Sequence, residues 1–148
     1  MGDRMTSDWT GTYESLTIGA SESSSQVIDG PAIDAFAHAI QSFNPIHLDG
    51  DWARANTHYP DRVAHGVMTS ALMSKPIVQF CERFQVRTAL LSTSAKYLKA
   101  VVVGDTVTTV VRLAGKDDEK RRIRFEVEAR NQHGELVLVG EAIEKALT

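Results

Sequence analysis

Two short runs of this 148-residue chain bring together side chains able to move a proton. In Gln41-Ser42-Phe43-Asn44-Pro45-Ile46-His47, a histidine follows Asn-Pro in a turn, where side chains can reach a cleft. An imidazole with a pKa of about 6.5 accepts or releases a proton at working pH. A histidine that merely hydrogen-bonds loop backbone fits the same turn, and the turn alone does not choose. In Ala64-His65-Gly66, a glycine opening a helix lets a ligand approach, with an exposed N–H aimed at a developing oxyanion. A tight loop-to-helix turn is the simpler account of a lone His-Gly. Ser70 and Ser74 lie four apart near one helix face, but serines in buried helices usually bond back to the i−4 carbonyl.

Other chemistries find less support. There is no G-x-S-x-G elbow, and Cys81 falls mid-helix on an apolar face, where packing is its expected role. Histidines 38, 47, 58, 65 and 133 show neither H-x-x-x-H nor a carboxylate-rich ligand spacing, so no metal site is expected. No glycine loop is suited to phosphate. Asp49 and Asp51 are read as solvated loop acids.

The elements that must position these residues follow from punctuation and period. Residues 15–28 read as weakly strand-like. Asp29-Gly30-Pro31 starts a helix, and Ile33, Phe36, Ala37 and Ile40 form its apolar stripe at i, i+3, i+4, i+7. Pro45 disfavours helix at Asn44, so this helix ends near Ser42. Residues 50–57 suggest a short helical turn. A second helix over about 65–83 carries Met68, Ala71, Leu72, Val78 and Cys81 around much of its circumference, which marks it as buried, and Pro76 kinks it. After residue 86 the chain becomes β-branched and partly alternating, with turns at Gly104-Asp105, Gly115–Asp118 and Gln132–Gly134. Helices followed by a meander of strands predict an α+β fold, an antiparallel sheet packed on the buried helix.

Composition sets the surroundings. The length fits one domain. The net charge of −3 is spread along the chain without a basic stripe, which speaks against nucleic acid as a partner. Lys120–Arg124 follows three acids and reads as a solvated turn and strand face. One cysteine permits no internal disulfide and suits a reducing cytoplasm. No apolar run approaches the roughly 20 residues that span a bilayer. Residues 1–12 read as a poorly ordered leader, and 13–148 as the single domain.

The runs "SFNPIHLDGDWARA", "YPDRVAHGVMTSALMS" and "KYLKAVVVGDTVTTVV", in that order, resemble the successive signatures of MaoC-like (R)-specific enoyl-CoA hydratases. The resemblance implies a hot-dog fold, a sheet wrapped around a long central helix and usually paired as a dimer. It implies no cofactor beyond the thiol that carries the substrate, coenzyme A or acyl carrier protein. In such enzymes an aspartate and a histidine five residues later activate a water that adds to the β-carbon of a trans-2-enoyl thioester; the reverse reaction dehydrates an (R)-3-hydroxyacyl thioester. On that pattern the histidine is His47, the preceding asparagine Asn44, the oxyanion glycine Gly66 after His65, and the serine that bonds the aspartate Ser74. The aspartate itself falls on Ser42, after Gln41.

A serine is no base near neutral pH without one beside it. Losing one acid–base partner commonly costs ~10²–10⁴ in rate. Without the carboxylate's charge, His47 should also protonate less readily. Three readings follow: a hydratase or dehydratase that works with His47 as acid/base and the Gly66 N–H as oxyanion donor, with Ser42 and Gln41 placing water; one-base thioester chemistry, such as isomerisation or intramolecular addition; or a non-catalytic acyl-binding or scaffolding subunit paired with a second hot-dog chain.

Overall fold

A computed structural model describes residues 8–148. Its sheet has five antiparallel strands in the order β1-β3-β4-β5-β2: β1 (Ser21–Val27), β2 (Thr88–Tyr97), β3 (Thr106–Asp117), β4 (Arg122–Arg130) and β5 (Leu136–Ala146). In β3 and β4 every second residue is buried, Val107, Thr109, Val111 and Leu113 in one and Ile123, Phe125, Val127 and Ala129 in the other. That period places one face of the sheet on the helices. The expected α+β hot-dog arrangement is present.

The helices are α1 (Gly30–Ile40), α2 (Pro45–Leu48), α3 (Gly50–Asn56), α4 (Gly66–Ala71) and α5 (Ser74–Phe84). The Asp29 side chain caps α1 by accepting from Ala32 N at 2.9 Å, and α1 stops at Gln41 in the left-handed conformation (φ 58°). Its buried Ile33 and Ala37 belong to the predicted stripe. Asn44 caps α2 and Asp49 caps α3, each accepting a backbone N–H. Asp49 therefore serves backbone, a use the sequence reading did not assign to it.

The helix expected over 65–83 is present in two pieces. Pro76 lacks an N–H, and its ring crowds the carbonyl four residues back, that of Leu72. The break falls there, at Leu72–Met73, where Leu72 N and Met73 N reach only three residues back, to Thr69 O and Ser70 O. The kink thus lies one turn before the proline. α5 sets Ile77, Phe80 and Cys81 into the core, with Phe80 edge-on to Phe125 at 5.0 Å.

Two further boundaries differ from expectation. The strand read over 15–28 occupies only Ser21–Val27; before it, Tyr13 and Leu16 are buried in the core around a short 3-10 turn. Within the expected leader, residues 1–7 lie outside the described residues. The remainder is held, with Trp9 packed against the core and Gly11 N bonded to Gln85 O at 3.0 Å. Among the described residues no helix is long and apolar enough to cross a membrane.

Candidate active site

The site forms where three loops meet: α1 to α2, residues 59–66, and the segment after β2. Two backbone bonds draw them together, Val63 N to Ile46 O at 3.2 Å and Ala64 N to Val101 O at 2.8 Å. They enclose a cavity of about 380 Å³ whose lining includes His47, Tyr59, Gly66, Thr69, Tyr97 and Leu98.

His47 is half-buried on the single turn of α2, which Asn44 and Pro45 start. Its Nδ1 lies 2.8 Å from Val63 O. A carbonyl only accepts, so Nδ1 carries the proton and Nε2 keeps a lone pair. Burial pulls the His47 pKa below its usual value; the Val63 bond opposes this and the neighbouring His65 adds to it. His47 is therefore a neutral imidazole near neutrality, with one nitrogen ready to accept a proton.

His65 stacks on His47 with ring centroids 3.8 Å apart, and Phe36 packs on its side. Its Nε2 donates to Ser42 O at 3.1 Å, while its buried Nδ1 has no hydrogen-bond partner among the described residues. Its geometry is that of a wall behind His47. Arg62 fixes the same loop: Nε donates to His47 O at 2.7 Å, and the guanidinium pairs with Asp34 at 2.5 Å. Nothing in the sequence pattern singled out Arg62, because its partners lie 15 and 28 residues away.

Of the sequence-predicted residues, His47 and Gly66 share the cavity, and His65 lies behind them. Gly66 is exposed at the first turn of α4, where N–H groups have no partner within the helix. A Cβ there would come within 3.3 Å of the Tyr97 ring, so a side chain would crowd the cavity. Asn44 uses its side chain as the α2 cap. Ser42 takes part through backbone, its carbonyl holding His65 and its N–H bonded to Ala37 O. Gln41 donates to His38 O at the end of its own helix, and Ser74 lines a different cavity between α5 and β2. Tyr97, Tyr59 and Thr69 also line the cavity; side chains brought in from separate segments left no local signal to find them by. Among the described residues no group of His, Cys, Asp or Glu could hold a metal ion.

Comparison with known proteins agrees with this architecture. Residues 22–135 match the model of the MaoC like domain. An (R)-specific enoyl-CoA hydratase from Rhodospirillum rubrum is 30% identical over 88% of this chain and 88% of its own length. A 3-hydroxybutyryl-CoA dehydratase from Methylorubrum extorquens is 31% identical over 90% of this chain and 82% of its own. The solved (R)-hydratase from Aeromonas caviae superposes with a TM-score of 0.81 at 29% identity, covering 89% of this chain and 98% of that one. On the extent of the domain match and on these full-length relatives, the chain belongs to the MaoC-like family.

Proposed function

We propose that this protein is a hydratase/dehydratase that adds water to trans-2-enoyl thioesters and removes it from (R)-3-hydroxyacyl thioesters, with His47 as its one acid/base. The reading is carried by the Nδ1–Val63 hydrogen bond, which leaves His47 Nε2 unprotonated in the cavity that also holds Gly66. It is supported by the relatives named as enoyl-CoA hydratase and hydroxybutyryl-CoA dehydratase.

In the hydration direction Nε2 takes a proton from water while the water oxygen bonds to the β-carbon. The π electrons move onto the thioester carbonyl, giving an enolate whose oxygen accepts from Gly66 N–H. The α-carbon then takes the proton from His47 Nε2, and the imidazole returns to its neutral form. A single base both removes and returns the proton, so no carboxylate is consumed or needed in the balance. Its absence costs rate: ~10²–10⁴ relative to a two-residue site.

The same reading places one domain over 13–148 in the cytoplasm, acting on coenzyme A or acyl-carrier-protein thioesters as a homodimer. The edge strand β2 supports pairing: it is bonded to β5 on one side only, and Leu90 at 58% and Leu91 at 46% exposure lie on it. The test is crotonyl-CoA hydration by the wild type, His47→Ala and Ser42→Asp. Wild-type activity that disappears in His47→Ala supports the reading. A silent wild type woken by Ser42→Asp means an intact pocket whose chemistry has been redirected or switched off, and silence in all three rejects hydration of this substrate.

A further inference from the structure

A second and larger cavity, about 680 Å³, lies on the other side of α4, between α5 and β2. Its wall is mostly apolar, with Val67, Met73, Ile77, Val78, Leu90 and Leu147, yet a carboxylate stands in it. Glu144, on β5, is only 6% exposed. Its carboxyl accepts from Thr88 Oγ1, whose oxygen in turn lies 3.3 Å from Cys81 Sγ. Because the single proton of Thr88 Oγ1 goes to Glu144, the Cys81 contact runs from S–H to Thr88 Oγ1, and the three form a chain directed at the carboxylate. Among the described residues Thr88 is the one hydrogen-bond partner of the Glu144 side chain, and a carboxyl group has capacity for several more. Burial pushes the Glu144 pKa up, with the Thr88 bond opposing it. Arg87, the other charged residue of the lining, lies over the Trp9 ring.

The two cavities share α4 as a wall. α4 gives Gly66 and Thr69 to the first and Val67, Ser70 and Ala71 to the second. Tyr97 of the first donates its hydroxyl to Ser70 Oγ of the second at 3.1 Å, so one hydrogen bond between side chains stands at the divide.

We propose that, for a thioester whose carbonyl sits at Gly66 and whose acyl chain extends past the Tyr97–Ser70 bond into the second cavity, Glu144 selects chains carrying a hydroxyl group along their length over plain alkyl chains. The selection is physical. An alkyl chain would fill the apolar wall and leave the carboxyl facing hydrocarbon, whereas a hydroxyl supplies the missing donor. A site built around a buried polar group rejects the analogue that leaves it unpaired. This inference rests on the thioester reading of the His47 cavity.

The experiment uses saturated thioesters, which cannot be hydrated, so binding is read apart from catalysis. Calorimetric titration compares hexanoyl-CoA with 6-hydroxyhexanoyl-CoA and octanoyl-CoA with 8-hydroxyoctanoyl-CoA. For the wild type, at least one hydroxylated member should bind ~10–100-fold tighter than its partner. Glu144→Gln, which keeps a carbonyl acceptor, should retain most of that preference, and Glu144→Leu should lose it. Equal or weaker binding of both hydroxylated members, no binding of any thioester, or a preference that survives Glu144→Leu would overturn the inference. If Glu144→Leu does not fold, the wild-type pairs and Glu144→Gln still decide it. Hydration of crotonyl-CoA without any hydroxyl preference would leave the proposed function standing and remove the role of Glu144.

Discussion

Replacing Arg62 by Met removes the guanidinium and keeps most of the aliphatic stem. The side chain is 17% exposed and makes three polar contacts: Nε to His47 O at 2.7 Å, the ion pair with Asp34 at 2.5 Å, and Gly30 O at 3.4 Å. The first is a charge-assisted bond largely out of water, worth about 1.5–3 kcal/mol. Asp34 is 51% exposed, so its pair contributes about 0–1 kcal/mol. The Gly30 contact is at the limit of a hydrogen bond and adds little. The sum is a loss of about 1.5–4 kcal/mol, read by urea denaturation with an unchanged slope. Because the strongest bond holds the His47 backbone, kcat/KM for crotonyl-CoA should fall about tenfold or more through displacement of Nε2. Asp34→Asn, by contrast, should cost less than about 1 kcal/mol. An Arg62→Met protein less than about 1 kcal/mol weaker than the wild type, with unaltered kinetics, would refute the view that Arg62 fixes the His47 loop.

Gly66→Ala should fold with a loss of at most about 1 kcal/mol, since the Tyr97 ring it meets at 3.3 Å is half exposed and can give way, yet kcat/KM should drop by about tenfold or more; wild-type kinetics would dissociate Gly66 from the reaction. Glu144 has a folded pKa raised chiefly by burial, so its contribution to stability is complete below the ordinary carboxylate pKa and is lost as pH rises through the folded value. The Tm of Glu144→Gln should therefore gain on the wild type between pH 4 and pH 8, and a constant or opposite difference contradicts the assignment. Leu90→Asp combined with Leu91→Lys on the exposed edge strand should convert a dimer to a monomer in light scattering, and an unchanged mass would place the interface elsewhere.

Much of the frame was legible in the chain because local rules acted alone. The Asp29 cap, Pro31 and the Ile33–Ala37 stripe bound α1, and the alternation of β3 and β4 matches their burial. What escaped was set by contacts at a distance. Pro76 breaks its helix at Leu72–Met73 because the ring acts on the carbonyl four residues back. Residues 13–16 leave the expected strand because Tyr13 and Leu16 find burial in the core instead of a ladder partner. In the site, the turn at His47 leaves two roles open and a tight turn is the simpler account of His65-Gly66; the family resemblance names both residues, and the structure sets them on one cavity. The stack of His65 on His47, the clasp of Arg62, and the placing of Ser74 in the second cavity depend on loops that meet only in the folded chain. Gln41 reads as a water-positioning amide by its place before Ser42, and the structure gives it to the end of α1, where a left-handed residue closes the helix.

The central claim is that neutral His47 Nε2 takes the proton in the reaction. The direct measurement is kcat/KM for crotonyl-CoA from pH 5 to pH 9, for the wild type beside His47→Ala. The structure predicts a plateau through neutral and alkaline pH and a fall on acidification, with an apparent pKa below the usual histidine value, and no such limb in His47→Ala. A rate that instead falls as pH rises through neutrality would require the protonated imidazole, and together with an equally active His47→Ala or a wild type without turnover it is the result that contradicts the account.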